Sequence, residues 1–438
     1  MGNRVVITGM GVVAPNGVGL SSFNKALMEG KSGIAFQQVL ADWNLGCQVG
    51  GIPPVTKEEG DAFAKQYNIV KLRSPGILYG LMAGVEAWLD AGLPLSHRKD
   101  SFPDWDSGCI FGTSVSGVDA FAYNVALARE GNVRKIGGRI AQQAMNSGIS
   151  AYLGGILGLG NQVTTNSSEG NTGSESIAEC FYRIQSGQAK RMIAGGTESS
   201  SPYVFQAYDS TIIPDTKAYL LLQEKGKYSK SPEKAFTPIS MKNKGVVIGS
   251  GSGALVLESL ASAKRRKARI YAEILSANIS CGGALGKYGG IERSNIDVFF
   301  KALHIGFKEA KTDPSEITYV NSTFQNYCDN REVHYLTKLL GLTGKYFPYF
   351  NSTKSMIGHC LSASGSLETI ATVLQMYHSY IHPSINGTPL HPDIAGLVSS
   401  DKVPTKAVKG INIEKALKTT MALGDVCSGM ILKKWNDG

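Results

Sequence analysis

Two short polar runs hold the groups in this sequence that could do chemistry. The first is Val163-Thr164-Thr165-Asn166-Ser167-Ser168-Glu169-Gly170, a polar strand end followed by residues in helical period. The second is Phe350-Asn351-Ser352-Thr353-Lys354-Ser355-Met356-Ile357-Gly358-His359, which places a cation and an imidazole five residues apart at a similar junction. A serine hydroxyl is far from ionised at neutral pH, and a helix dipole shifts a pKa too little to change that. It acts as a nucleophile only beside a positioned base. Ser167 with His359 as base, and Glu169 or Lys354 as helper, would make an acyl-transfer set. The same hydroxyl in front of a helix also reads as a simple cap. Both readings stand on the sequence.

Metal chemistry has little support. The seven cysteines are scattered and never paired as C-x-x-C, which points to neither a disulfide framework nor a zinc site. His378 and His382 stand at helical spacing with no third ligand near. No metal and no cofactor are expected.

The elements that must position the two runs repeat. The first half opens on the β-rich Arg4 to Val13 and ends in Gly251-Ser252-Gly253-Ala254-Leu255-Val256-Leu257. The second opens on Ala268 to Leu275 and ends in Cys427-Ser428-Gly429-Met430-Ile431-Leu432. Each half has one polar run at its middle, followed by apolar positions at i, i+3, i+4 and i+7. Strands alternating with helices predict an α/β protein of five layers, αβαβα, built from two pseudo-symmetric halves. The expected division is 1–258 and 259–438, with a polar, Lys- and Pro-containing cap inserted over about 206–240.

With 438 residues, 42% hydrophobic and 18% charged, the chain has a globular composition with no disordered bias. No apolar run approaches the roughly 18 residues of a membrane helix. The start, Met1 to Gly9, has no signal pattern, so a cytoplasmic protein is expected. The net charge of +9 gathers at Lys264 to Arg269 and around Lys225, Lys227 and Lys230. These are solvated charges or a docking face for an acidic partner. No motif supports nucleic-acid binding.

Four blocks carry a resemblance across nearly the whole chain: Ala194-Gly195-Gly196-Thr197-Glu198, Gly245 to Gly253, Tyr319-Val320-Asn321 and Asn351 to His359. They resemble β-ketoacyl-acyl carrier protein synthases, most of all the elongating type II class, which implies a thiolase-like fold. The resemblance implies a cysteine nucleophile at a helix N-terminus, two histidines that stabilise an enolate, and a supporting lysine.

Aligned on that pattern, Thr-Ala-Cys-x-x-Gly falls on Thr165 to Gly170, so Ser167 takes the cysteine position. Asn-Ala-His-Gly falls on Asn321 to Phe324, so Thr323 takes the first histidine position and Phe324 the following glycine. Arg331 then stands where the family has an acidic residue and His334 where it has a glutamate. His359 and Lys354 are retained. Leu423 replaces the phenylalanine that gates acyl entry, and Val115 aligns with a tunnel-lining position.

The pattern resembles a degenerate ketosynthase of the chain-length-factor kind. That implies pairing with an active ketosynthase subunit, or a homodimer, and acyl carrier protein with its phosphopantetheine-linked chain as partner. A fatty-acid-like or polyketide pathway, such as one making aryl polyenes or flexirubin-type pigments, fits by analogy. The alternatives are the Ser167-dependent acyltransferase or thioesterase and a weak 3-oxoacyl-acyl carrier protein synthase.

Overall fold

The computed structural model describes residues 2–95, 102–213, 218–282, 296–324 and 330–436. Among the described residues, ten strands of an eleven-stranded sheet form its spine. In the first half these are β1 (Val5–Ala14), β2 (Ser107–Gly112), β3 (Val163–Thr164), β4 (Arg191–Glu198) and β5 (Gly251–Ser259). In the second half they are β6 (Ala272–Cys281), β7 (Tyr319–Asn321), β8 (Tyr349–Asn351), β9 (Lys415–Ala422) and β10 (Val426–Lys434).

The order across the first set is β3-β2-β4-β5-β1, and across the second β8-β7-β9-β10-β6. Position by position the two orders are the same. The hands of pairing match as well: β2 runs parallel to β3 and β4, as β7 does to β8 and β9. The fifth strand is antiparallel to both its neighbours in each half. The two sets join through three antiparallel pairs, Val5 with Ile274, Val6 with Glu273 and Ile7 with Ala272.

Seven helices complete the layers: α1 (Pro75–Asp90), α2 (Val118–Arg129), α3 (Gly148–Leu157), α4 (Thr172–Gln185), α5 (Ile296–Ala310), α6 (Asn330–Leu340) and α7 (Ser364–His378). Helices α1 and α3 cover the outer face of the first sheet, and α5 covers the outer face of the second against β6 and β10. Helices α4 and α7 touch strands of both halves and each other, which makes them the middle layer. The order is therefore helix, sheet, helix, sheet, helix, the thiolase-like arrangement the sequence predicts.

Sequence explains the placement. Helix α1 starts where the Ser74 hydroxyl accepts the Ile77 N–H at 3.2 Å and Pro75 fixes the first turn. Helix α7 is buried from Ser364 through Met376. A helix buried all round must satisfy its own hydroxyls, and Thr369 and Thr372 donate to the carbonyls four residues back at 2.7 and 2.8 Å. Helices α4 and α7 cross at glycine. A Cβ on Gly173 would lie 2.7 Å from the Ser366 nitrogen, and one on Gly365 2.5 Å from that of Ser174. Only glycine permits that approach.

From the stretch over 206–240, Leu221, Leu222 and Phe236 are buried with Val49, Val204 and Phe205 of the first half. The two basic runs are partly spent within the molecule. Arg266 pairs with buried Glu258 at 2.7 Å, Lys227 with Glu224 at 2.6 Å, and Arg269 with Asp90. No described helix is long and apolar enough to cross a membrane.

Candidate active site

Each middle helix is preceded by a short 3₁₀ turn, Glu169–Asn171 before α4 and Leu361–Ala363 before α7. The first residue of each turn is in the left-handed region, Glu169 at φ 48° and Leu361 at φ 44°. For side chains of this size that conformation is strained and needs surrounding structure to hold it. The matched pair of strained residues makes the second turn residues, Gly170 and Ser362, structural counterparts.

His359 approaches the first elbow from the second half. The ring is 4% exposed. Its main chain is clamped by Val247 and Gly249, the N–H donating to Val247 O and the carbonyl accepting from Gly249 N, both at 2.8 Å. Its Nδ1 accepts the Leu361 N–H at 2.9 Å, with the Ser364 hydroxyl 3.4 Å away. An acceptor at Nδ1 leaves the proton of the neutral ring on Nε2. That nitrogen faces Gly170: a Cβ added there would lie 3.3 Å from Nε2, 3.0 Å from Cε1 and 3.8 Å from the Ala422 Cβ.

The residue facing the histidine is therefore Gly170, not Ser167. Ser167 lies exposed in the loop ahead of the turn, and no hydrogen bond engages its hydroxyl among the described residues. Gly170 is the residue opposite the imidazole, and Gly173, three residues further on, lies at the α4–α7 crossing. Both glycines can close a pattern ending in glycine, and the helix crossing distinguishes them.

Lys354 sits behind this face in a buried ionic cluster. Its Nζ is 2.5 Å from one oxygen of Glu368, and Lys418 Nζ is 2.7 Å from the other. All three side chains are almost wholly buried. Burial pushes the Glu368 carboxyl up, but the two lysines hold it below the ordinary carboxylate value. Burial lowers Lys418 despite Glu368 beside it. Lys418 went unnoticed in the sequence because nothing in its neighbourhood marks it as an internal cation.

Thr323 is buried at the end of β7. Its hydroxyl oxygen accepts the Met421 N–H at 3.0 Å, and its own N–H donates to Thr419 Oγ1 at 3.2 Å. Phe324 is fully buried against Phe350, with ring centroids 6.2 Å apart. The acidic residue of this segment is Glu332 rather than Arg331 or His334, both of which are exposed. Glu332 is buried and accepts from Ser322 Oγ at 2.7 Å and Thr419 Oγ1 at 2.5 Å. Residues 325–329 lie outside the described residues.

Leu423 opens the turn Leu423–Asp425 between β9 and β10, and only its backbone is described. Val115 is 42% exposed at the surface of the first half. His382 is buried among Thr353 and Pro383, and burial lowers it to about 4. It is a neutral core residue. The structure thus brings His359, Gly170, Ala422 and, through Met421, Thr323 to one place, with Lys354 behind. Ser167 and Val115 stand apart from it.

Comparison with known proteins bears on this geometry. Residues 2–263 match the β-ketoacyl synthase N-terminal domain and residues 271–388 the corresponding C-terminal domain. The chain is 28% identical over 437 residues to 3-oxoacyl-[acyl-carrier-protein] synthase 2 of Vibrio harveyi, covering 98% of each chain. It superimposes on the ishigamide ketosynthase/chain length factor with a TM-score of 0.82 at 22% identity, covering 100% of both chains. A ketosynthase solved in complex with its type II polyketide acyl-carrier protein gives a TM-score of 0.83 at 23% identity, covering 99% of this chain and 100% of that one. Those two likenesses concern the fold.

Proposed function

The chain belongs to the β-ketoacyl synthase family, and on that premise we propose that it is a non-condensing, chain-length-factor-like subunit working beside an intact ketosynthase on carrier-protein-bound acyl chains. One observation carries the reading: Gly170 stands where a nucleophile would face His359. Condensation through an acyl-enzyme needs a thiolate there, and glycine offers no atom to attack a thioester. At Thr323, aligned with the family's first histidine, a hydroxyl whose oxygen accepts the Met421 N–H replaces the imidazole donor. Losing one such donor costs about a hundred- to a thousand-fold in rate. What remains is a scaffold.

Two features favour a partner. Strand β3 ends the sheet order and pairs on one side with β2. Large apolar side chains stand exposed on the first half at Val115, Phe121 and Met145, 42%, 61% and 56% accessible. Unpartnered apolar groups of this size suit a protein interface. On this reading Val115 would shape a passage shared with the partner, and Leu423 would border its mouth. The names of relatives point to fatty-acid or polyketide synthesis, and an acidic carrier protein suits the basic surface; aryl polyene or flexirubin-type products extend that analogy.

The test is co-purification with the pathway's intact ketosynthase, followed by assay with acyl- and malonyl-loaded carrier protein. The expected result is a one-to-one complex whose condensation depends on the partner's cysteine, survives Ser167→Ala, and changes product length with Val115→Phe. Condensation by the isolated chain would overturn the reading.

A further inference from the structure

Strands β2 and β9 finish at the elbow end of the molecule: a Cβ on Gly112 would touch Asn166, and Ala422 flanks Gly170. The opposite end is built from strand ends paired across the sheet, Ser107 with Arg191, Glu258 with Arg191 and Val6, and Ala272 with Lys434. Three segments border it. They are the loop from Phe102 to Asp106 ahead of β2, the basic run from Lys264 to Arg269 that closes the short helix Leu260–Arg265, and Trp435 after β10.

Ion pairs tie these segments into one surface. Asp104 pairs with Arg191 at 2.8 Å, Arg191 with Glu258 at 3.7 Å, and Glu258 with Arg266 at 2.7 Å. Asp106 pairs with Lys190 at 2.7 Å, Glu273 with Arg4 at 2.6 Å, and Asp90 with Arg269. Each of these carboxylates is thereby spent on a cation of its own end. Lys264, Arg265 and Lys267 are exposed and form no ion pair among the described residues. They leave a surplus of positive charge.

Aromatic rings stand beside that surplus. The Trp435 ring lies 5.8 Å from the Arg4 guanidinium and 5.9 Å from Lys264 Nζ, measured to its centroid. Phe102 and Trp105 are 93% and 69% exposed. The Trp105 carbonyl accepts from Asn161 Nδ2 at 2.8 Å, so an anchored backbone presents the ring to solvent.

We propose that this end is a peripheral membrane contact, which lays the chain on an anionic phospholipid surface with the elbows turned away from it. Lipid headgroups supply the counter-charge that Lys264, Arg265 and Lys267 lack within the chain, an attraction that salt screens. Aromatic rings beside cations settle at headgroup level, where an apolar face and a wet edge are both accommodated. A carrier protein does not suit this end. It must bring its thioester to the elbows, about 30 Å away along the ten residues of β1. The chain lies on the bilayer rather than crossing it, since no described helix is long and apolar enough to span one. This inference does not depend on a partner ketosynthase.

The experiment sediments the full chain with large vesicles of phosphatidylcholine alone, and of phosphatidylcholine and phosphatidylglycerol in equal parts. The expected result is binding about tenfold or more tighter to the mixed vesicles, weakening as salt rises. Lys264→Gln, Arg265→Gln and Lys267→Gln together should weaken it about a hundredfold, while circular dichroism and thermal unfolding stay native. Phe102→Ala with Trp105→Ala should weaken it about tenfold and leave the salt dependence unchanged. Equal binding to neutral and mixed vesicles, or no loss in the triple variant, would overturn the proposal. Tighter binding to duplex DNA than to the mixed vesicles would assign the charge to nucleic acid and overturn it too.

Discussion

The two elbows share a backbone and differ in what they present. Glu169–Asn171 and Leu361–Ala363 each begin with a strained residue, at φ 48° and 44°, and each feeds a middle-layer helix. The first presents Gly170 to His359; the second presents Ser362 to Ser114. The strain therefore survives at an elbow with no side chain to aim. Packing maintains it: Gly173 and Gly365 lock the helices that follow the two turns against each other. Backbone geometry in this molecule belongs to the fold, and chemistry belongs to the few side chains set on it.

That separation can be attacked first at the ionic cluster below the elbows. Glu368→Leu leaves Lys354 and Lys418 buried without their shared carboxylate, and should cost about 3–5 kcal/mol in denaturant unfolding. A loss under 1 kcal/mol would mean that the cluster does not brace the site.

The two glycines of the first elbow give the next contrast. Gly173→Ala drives a methyl against backbone at the helix crossing and should cost about 1–3 kcal/mol. Gly170→Ala meets only the edge of the His359 ring and the Ala422 methyl, so its cost should be clearly smaller. Equal losses would contradict the assignment of Gly173 as the packing glycine and Gly170 as the site position. Thr323→Val removes the acceptor of the Met421 N–H and should cost about 1–2 kcal/mol by the same measurement.

Acid offers a graded probe. His382 has its folded value lowered from 6.5 to about 4 by burial, so below 6.5 the unfolded chain takes up a proton that the folded chain resists. Stability contributed by the neutral ring is complete above about 6.5 and is lost as pH falls toward about 4. Glu368, lowered rather than raised, adds its own loss below the ordinary carboxylate range, as pH falls through its folded value. A stability profile flat between pH 6.5 and 4 would remove His382 from the core account. Ser167→Ala should change stability by less than about 0.5 kcal/mol, as expected of an exposed hydroxyl without a partner.

Much of this was legible in the residues. Alternation of strands and helices, with a polar run at the middle of each half, announced the duplicated layers, because periodicity records which face of an element is buried. The Asn351 to His359 block pointed to a candidate site; its His359 faces Gly170 and its Lys354 pairs with Glu368. The register of the first polar run was not legible. Ser167, Ser168, Glu169 and Gly170 all suit a strand-to-helix junction, and a pattern ending in glycine fits both Gly170 and Gly173. Likewise Arg331, Glu332 and His334 are adjacent candidates until helix α6 turns one of them inward.

The sequence by itself determined the fold class, the repeat and the histidine–lysine block, since these rest on local periodicity and on residue types kept in order. Tertiary structure alone decided which atom faces His359, that Lys418 shares Glu368, and that Ser114 from one half meets Ser362 from the other. One of those pairings, Ser114 with Ser362, joins residues 248 positions apart. A one-residue change of register turns a side chain from one surface to another, and only the crossing of two helices at glycine fixes that register.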